Sequence, residues 1–181
     1  TVGLMALNIL RHGERPLFFY GQTYFGSLEA WMAAGLFAVF GVSEFTLSLS
    51  AILGSMAWIA ATYVLFAEWE GRRAGLCAAA VVAAPSWVTL HYGVGTYGGY
   101  PVAFALGTAA LWLCLRIQRR EPAGRALLAY AVPLGAVAGL ALWTHYLSAA
   151  YLLPGALLVF SFLVRRRFRW EVLWPFLAAL V

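Results

Sequence analysis

The sequence predicts an all-α fold, a polytopic transmembrane helical bundle with an external region of interfacial helices. Of the 181 residues, 64% are hydrophobic and only 10% are charged, and a soluble domain of this size leaves too much surface at its boundary to hide so much apolar area. All twelve basic residues are arginines, and ten of them fall in three clusters between apolar runs. Short cytoplasmic loops carry basic residues in this way, whereas a nucleic-acid surface needs a continuous basic face, so we expect no binding to nucleic acid.

Five apolar runs are long enough, or nearly so, to cross a hydrocarbon core of ~30 Å, which takes about 20 helical residues. They predict membrane spans at 45–67, 75–90, 101–115, 126–143 and 149–164. A sixth run begins near Glu171 and stops at Val181 inside the apolar stretch. Because the chain also starts at Thr1 without Met, we expect it to be a fragment with both ends cut.

The loops between the runs predict a topology. The arginine clusters lie in loops 68–75, 116–125 and 165–170, whereas loops 91–100 and 144–148 contain no arginine. The positive-inside pattern places the arginine-rich loops in the cytoplasm of a plasma (inner) membrane and the other two outside. Residues 1–44 then form an external or periplasmic region, and residues 45–181 form the transmembrane core with about five full spans and a truncated sixth.

The external region contains its own helical signals. Residues 1–10 are apolar and compatible with a helix, and residues 18–26 are aromatic and interrupted by glycines. Ser27 is placed to cap a helix over 28–40, which Gly41 would end. Thirteen residues are too few to cross a bilayer, so this helix is predicted to lie on the outer membrane surface.

Glu29 is the candidate catalytic residue. The sequence contains no aspartate, no phosphate-binding glycine loop and no metalloprotease or nucleophile motif. A carboxylate at the membrane surface beside aromatic residues can accept a proton from an acceptor hydroxyl. The alternative is that Glu29, two residues after Ser27, only complements the dipole of the helix N-terminus. The sequence leaves these two roles open.

Two further external elements contain candidate binding residues. His145, at the end of a span, can hold a phosphate by charge or hydrogen bonding, or can simply belong to the aromatic belt. Segment 91–101 has four glycines in eleven residues, which argues against a helix there. Its tyrosines suit stacking on a sugar face, although they can equally be aromatic anchors between two spans.

Four segments resemble a known family. They are Phe-Phe-Tyr-Gly-Gln-Thr-Tyr-Phe-Gly-Ser-Leu-Glu-Ala at 18–30, Leu-Phe-Ala-Val-Phe-Gly-Val-Ser-Glu-Phe at 36–45, Gly-Leu-Ala-Leu-Trp-Thr-His at 139–145, and Tyr-Leu-Leu-Pro at 151–154. Together they resemble membrane-embedded glycosyltransferases of the GT-C type, which include the protein O-mannosyltransferases and the aminoarabinose transferase of lipid A.

The resemblance implies an inverting enzyme that moves a sugar from a polyprenyl-phosphate carrier to a hydroxyl acceptor at the outer face of the membrane. Glu29 would be its base, and the donor and acceptor groove would be lined by Gln22, Tyr24, His91, Tyr97, Tyr100 and His145. In the family the position of His145 is often a lysine that meets the carrier phosphate. The acidic motif usually assigned as catalytic would precede Thr1, so the fragment is expected to be inactive alone.

The expected partners are the lipid-linked sugar donor, membrane lipids, and a lipid, glycan or protein acceptor. No cofactor and no metal site is evident, since no cluster has the number of oxygen ligands that a divalent metal needs. Dependence on such a metal is left open, because residues before Thr1 could supply further ligands. The alternative function is a non-catalytic transporter, flippase or accessory subunit that handles lipid-linked sugars. The ionisable residues lie near the ends of the spans rather than at the bilayer midplane, which favours surface chemistry over translocation.

Overall fold

The computed structural model describes residues 1–165 and is essentially all-α, as predicted. The helices are α1 (Val2–His12), α2 (Leu28–Phe40), α3 (Glu44–Glu70), α4 (Arg72–Ala83), α5 (Trp87–Val94), α6 (Tyr100–Arg120), α7 (Arg125–Thr144) and α8 (Ala149–Arg165). A 3-10 turn, Tyr146–Ser148, leads into α8. The predicted sixth run, beginning near Glu171, lies outside the described residues.

Four helical segments are long and apolar enough to cross a membrane: Glu44–Glu70, Tyr100–Arg120, Arg125–Thr144 and Tyr146–Arg165. They correspond to four of the five predicted spans. The span predicted over 75–90 is not a single helix, because α4 ends at Ala83 and α5 begins only at Trp87; that the two short helices together cross a membrane stays a prediction. Pro85 lies in this break, and its ring disfavours the helical conformation of Ala84 and removes a backbone donor.

The segment between α5 and α6 is shorter than predicted. His91–Val94 belong to α5 and Tyr100 begins α6, so within 91–101 only residues 95–99 leave the helical conformation. The expectation that the whole segment is non-helical is therefore wrong. Gly95 follows the last residue of α5, while Gly98 and Gly99, immediately before α6, adopt positive φ values of 103° and 83°.

The external region has a helical hairpin and a small sheet. Helices α1 and α2 pack through Val2, Met5, Ala33 and Phe37, which are all buried. Between the helices, β1 (Phe18–Phe19) and β2 (Gln22–Gly26) form an antiparallel pair that the sequence analysis did not predict. Helix α2 has the predicted bounds.

The predicted role of Ser27 as a side-chain cap is wrong. Its hydroxyl donates to the carbonyl of Pro16 at 2.5 Å instead of accepting a hydrogen bond from the first turn of α2. Ser27 therefore ties the start of α2 to the segment that precedes β1.

Helix α6 is the centre of the bundle, and its two ends differ in chemistry. At its C-terminal end the Arg116 guanidinium binds the Glu68 carboxylate at 3.0 Å, and Arg119 donates to the carbonyls of Glu68 and Trp69. The arginine-rich end of α6 thus meets the end of α3, as the predicted topology requires. The N-terminal end of α6 meets the end of α7 and the external region. Which side of a membrane each end faces stays a prediction.

Candidate functional site

The site is built where β2 meets the end of α7. Phe25 forms an isolated antiparallel bridge with His145, and both residues are buried. The neighbouring Gly26 permits this approach, since a Cβ there would lie 2.5 Å from the carbonyl oxygen of Trp143. The alternation of a strand turns Phe25 inward and leaves Tyr24 exposed.

The imidazole of His145 is enclosed by aromatic rings. Its centroid lies 4.2 Å from Phe25, 4.4 Å from Tyr100 and 4.8 Å from Tyr146, and the residue is only 1% exposed. Rings at these separations fix the plane of the imidazole. His145 is therefore a rigid part of the site and not a mobile surface side chain.

The hydrogen bonds of His145 define its protonation. Its Nδ1 accepts the backbone N–H of Leu147 at 3.0 Å, so in the neutral imidazole the proton is on Nε2. Burial lowers the pKa of His145, which favours this neutral form. The Nε2 atom is buried and has no hydrogen-bond partner among the described residues. His145 thus presents one unused N–H donor without a positive charge.

Ring contacts extend from His145 to the segment between α5 and α6. The ring centroids of Tyr100 and Tyr92 are 5.0 Å apart, and those of Tyr92 and Tyr97 are 5.4 Å apart. The Tyr97 ring in turn lies 4.7 Å, between centroids, from the His91 ring. We define the aromatic cluster as Tyr24, Phe25, His91, Tyr92, Tyr97, Tyr100, His145 and Tyr146. Five of the six predicted binding residues, namely Tyr24, His91, Tyr97, Tyr100 and His145, are in this one cluster.

Gln22, the sixth predicted binding residue, has no ring and so is not a member of the aromatic cluster. It begins β2 opposite Phe19. Its side-chain Oε1 is buried and has no hydrogen-bond partner within the part of the chain that the structure describes. The structure therefore places Gln22 on the same strand as Tyr24 and Phe25.

Glu29 is buried at the start of α2 and is 2% exposed. Its Oε2 accepts the backbone N–H groups of Gly98 at 3.0 Å and Gly99 at 2.7 Å, while Oε1 is buried without a partner in residues 1–165. Burial raises the pKa of Glu29 to about 7, and the two N–H donors oppose that rise. The carboxylate therefore connects the external region to the turn before α6.

An apolar cavity of about 470 Å³ adjoins the aromatic cluster. Its walls come from α3, from the end of α4, from α5 and the break before it, and from the first two turns of α6. They include Ile52, Ile59, Pro85, Leu90 and Phe104. Tyr92 and Tyr100 line the cavity and also belong to the cluster. This volume lies within the range of sites that hold small molecules, and its lining suits hydrocarbon.

Phe25, Tyr92 and Tyr146 are central to the cluster but were absent from the predicted site. The sequence contained no clear signal for Phe25, because the short strand Gln22–Gly26 does not alternate polar and apolar residues. No three side chains of His, Cys, Asp or Glu come together as a metal site would require, in the region from Thr1 to Arg165.

Comparison with known proteins identifies a family. The family model for dolichyl-phosphate-mannose-protein mannosyltransferase matches residues 27–181, which include Glu29, the turn at 95–99 and His145. Comparison with curated proteins and with solved structures gives no significant match. The match covers well over half of the chain and confirms the resemblance noted from the sequence. The chain therefore belongs to the dolichyl-phosphate-mannose-protein mannosyltransferase family of membrane glycosyltransferases, whose sugar donor is linked to a polyprenyl phosphate.

Proposed function

We propose that the protein transfers a sugar from a polyprenyl-phosphate carrier to a hydroxyl acceptor at the outer face of the plasma membrane. The observation that carries the proposal is that a single residue, Tyr100, connects a buried, unused N–H donor with an apolar cavity. Tyr100 contacts the His145 ring at 4.4 Å and also lines the cavity. A ligand with an anionic head and a hydrocarbon tail fits both environments at once.

The donor would lie with its hydrocarbon chain in the cavity and its phosphate at His145. A hydrogen bond from a neutral imidazole to a charged phosphate oxygen is strong, because one partner is ionised and the site excludes water. The exposed tyrosines Tyr24 and Tyr97 offer ring faces to the sugar. Since the Nε2 proton remains when the imidazole is neutral, this contact does not require low pH.

The reaction is a displacement at the anomeric carbon of the sugar. The acceptor oxygen forms a bond to this carbon, the bond from carbon to the phosphate oxygen breaks, and polyprenyl phosphate leaves with the electron pair. The proton of the acceptor hydroxyl passes to a carboxylate base. The Nε2–H of His145 would stabilise the charge that develops on the departing phosphate. The family description supports mannose as the sugar and a protein as the acceptor.

The outer face is proposed from the distribution of charge. The arginine-rich end of α6 is the end expected in the cytoplasm, and the aromatic cluster lies at the other end of this helix. The aromatic residues would then be at the external interface, where tyrosine and tryptophan rings accumulate.

The test is transfer of label in proteoliposomes. Labelled polyprenyl-phosphate mannose is supplied with a soluble peptide that is rich in serine and threonine, and label in the peptide is counted. The assay uses the full-length natural protein that contains these residues. We expect transfer by its wild-type form and by the control variant Glu44→Gln, whose exposed carboxylate lies outside the site. Movement of labelled lipid across the bilayer without transfer to any acceptor would overturn the proposal and support the transporter alternative.

A further inference from the structure

The turn at Gly98 and Gly99 forms an anion-binding cradle. Both residues adopt positive φ values, which direct two successive backbone N–H groups to one point. The Glu29 Oε2 atom occupies that point, at 3.0 Å from the Gly98 nitrogen and 2.7 Å from the Gly99 nitrogen. Because Glu29 is some 70 residues away in sequence, one carboxylate oxygen holds two distant parts of the fold together.

The turn is enclosed on its other sides as well. A Cβ on Gly99 would lie 3.1 Å from Thr144 Cγ2, and a Cβ on Gly98 would lie 3.6 Å from the ring of Phe25. The turn therefore lies between α2, the end of α7 and β2. Both glycines are buried, so nothing but protein can accept their N–H groups, and Glu29 is the residue that does so.

The residues on either side of the turn belong to the proposed donor site. Tyr97 precedes it and contacts His91, and Tyr100 follows it and contacts His145. Tyr100 also begins α6, so a displacement of the turn moves the ring that separates the cavity from the imidazole. The place of Tyr100 relative to His145 thus depends on where the two glycine N–H groups are held.

We propose that Glu29 is a positioning residue that latches the turn at 95–99 onto α2 and thereby sets Tyr97 and Tyr100 against His145. This inference rests on the proposed function, because it assigns the role of Glu29 within the same site. It differs from base catalysis in one requirement. A latch needs an oxygen that accepts two N–H groups, whereas a base needs a carboxylate that accepts a proton.

Glutamine separates these two roles. The side-chain amide of Glu29→Gln keeps an oxygen at the position of Oε2 but is not basic, whereas Glu29→Ala removes both functions. Glu29→Asp keeps a carboxylate but is one methylene shorter, so it shortens the reach to the turn. Glu44→Gln is the matched control, because Glu44 is exposed at the start of α3.

The first readout is hydrogen exchange of the segment 95–100, which requires no activity. Each lost hydrogen bond to a charged acceptor corresponds to roughly a tenfold change, so we expect Glu29→Ala to lower protection roughly 100-fold. For Glu29→Gln we expect a loss of no more than roughly tenfold, since a neutral oxygen still accepts both bonds. Unchanged protection in Glu29→Ala would overturn the latch.

The second readout is sugar transfer by the same variants. A latch predicts that Glu29→Gln keeps transfer within roughly tenfold of wild type, whereas Glu29→Ala raises KM for the donor and loses activity in step with protection. Loss of transfer by Glu29→Gln in kcat alone, with protection intact, would assign base catalysis instead. If Glu29→Ala does not fold, Glu29→Asp replaces it in both measurements. The latch predicts that Glu29→Asp loses protection of residues 95–100 although it keeps a carboxylate. Absence of transfer by the wild type would defeat the proposed function, while the exchange data would still decide the latch.

Discussion

Replacing Glu29 with glutamine should change how the stability of the protein depends on pH. Burial raises the pKa of this carboxyl group from its ordinary value of 4.5 to about 7. Between these two values the folded protein holds a proton that the unfolded chain has released. The free energy of unfolding of the wild type therefore falls as pH rises through this window, and it stays at the lower level above about pH 7.

The size of this fall follows from the two pKa values. The distance from 4.5 to about 7 corresponds to about 3 kcal/mol of unfolding free energy. Solvent screening does not reduce this figure much, because the side chain is 2% exposed. Two backbone N–H donors stabilise the charged form, but the desolvation of a buried carboxylate outweighs them. The protein thus has a buried acid that destabilises the fold at neutral pH, which is consistent with a functional role for Glu29.

The assay is thermal unfolding of wild type and Glu29→Gln in detergent between pH 4.5 and pH 8.5. Glutamine does not titrate, so the difference in melting temperature should move in favour of the variant by roughly 6–12 °C across the window, given about 2–4 °C per kcal/mol for a protein of this size. The cost of burying the glutamine amide does not depend on pH. It therefore changes the melting temperature of Glu29→Gln by the same amount at pH 4.5 and at pH 8.5. Glu44→Gln should follow the wild type. If the wild type gained stability relative to Glu29→Gln with rising pH, the N–H donors would outweigh burial and the reasoning would be refuted.

Two more predictions concern the donor site. His145→Phe should lower kcat/KM for transfer by roughly 100-fold, because it removes the unpartnered Nε2–H donor, whereas His145→Gln should stay within roughly tenfold, because its amide places an N–H where Nε2 stands. Equal losses of kcat/KM in the two variants, measured from initial rates, would show that transfer does not depend on the N–H donor of His145. Ile59→Trp should fill part of the cavity and weaken binding of long-chain carriers, at about 0.8 kcal/mol for each displaced methylene, while short-chain donors bind as before. A loss of the same size for both chain lengths, measured by competition, would place the hydrocarbon elsewhere.

The architecture was predictable from sequence where length and hydropathy alone decide it. Four of the five predicted spans and the bounds of α2 agree with the structure, because each depends on a run of apolar residues and on a glycine or polar stop. The residues predicted as a span over 75–90 form two short helices instead of one, because hydropathy does not register a backbone break. Pro85 was visible in the sequence, but only the structure shows that α4 ends before it rather than bending through it.

The candidate site was predictable in its members more than in their contacts. The aromatic and histidine residues in the loops predicted to be external indicated five of the rings that the structure brings together. Phe25 was missed because the hairpin that turns it inward is short and has no strong turn signal. The bond from Glu29 to Gly98 and Gly99 joins residues too far apart in sequence for any local pattern to indicate it.

The protonation of His145 is a further property that residue type alone does not decide. A histidine at this position suggested either a cation or a hydrogen-bond donor for a phosphate. The N–H of Leu147, two residues later, occupies Nδ1 and thereby assigns the proton of the neutral ring to Nε2. That assignment depends on the extended backbone of His145 at the end of α7, which brings the Leu147 amide back to the ring.

Photolabelling with a polyprenyl phosphate that has a photoreactive group in its hydrocarbon chain would locate the carrier directly. We expect label in the stretches 52–59 and 89–104, which line the cavity, and we expect unlabelled polyprenyl phosphate to compete while polyprenol, which lacks the phosphate, competes far more weakly. His145→Phe should abolish this preference for the phosphate. Label spread over the lipid-facing surfaces of α7 and α8, or equal competition by polyprenol, would contradict a donor site formed by the cavity and His145.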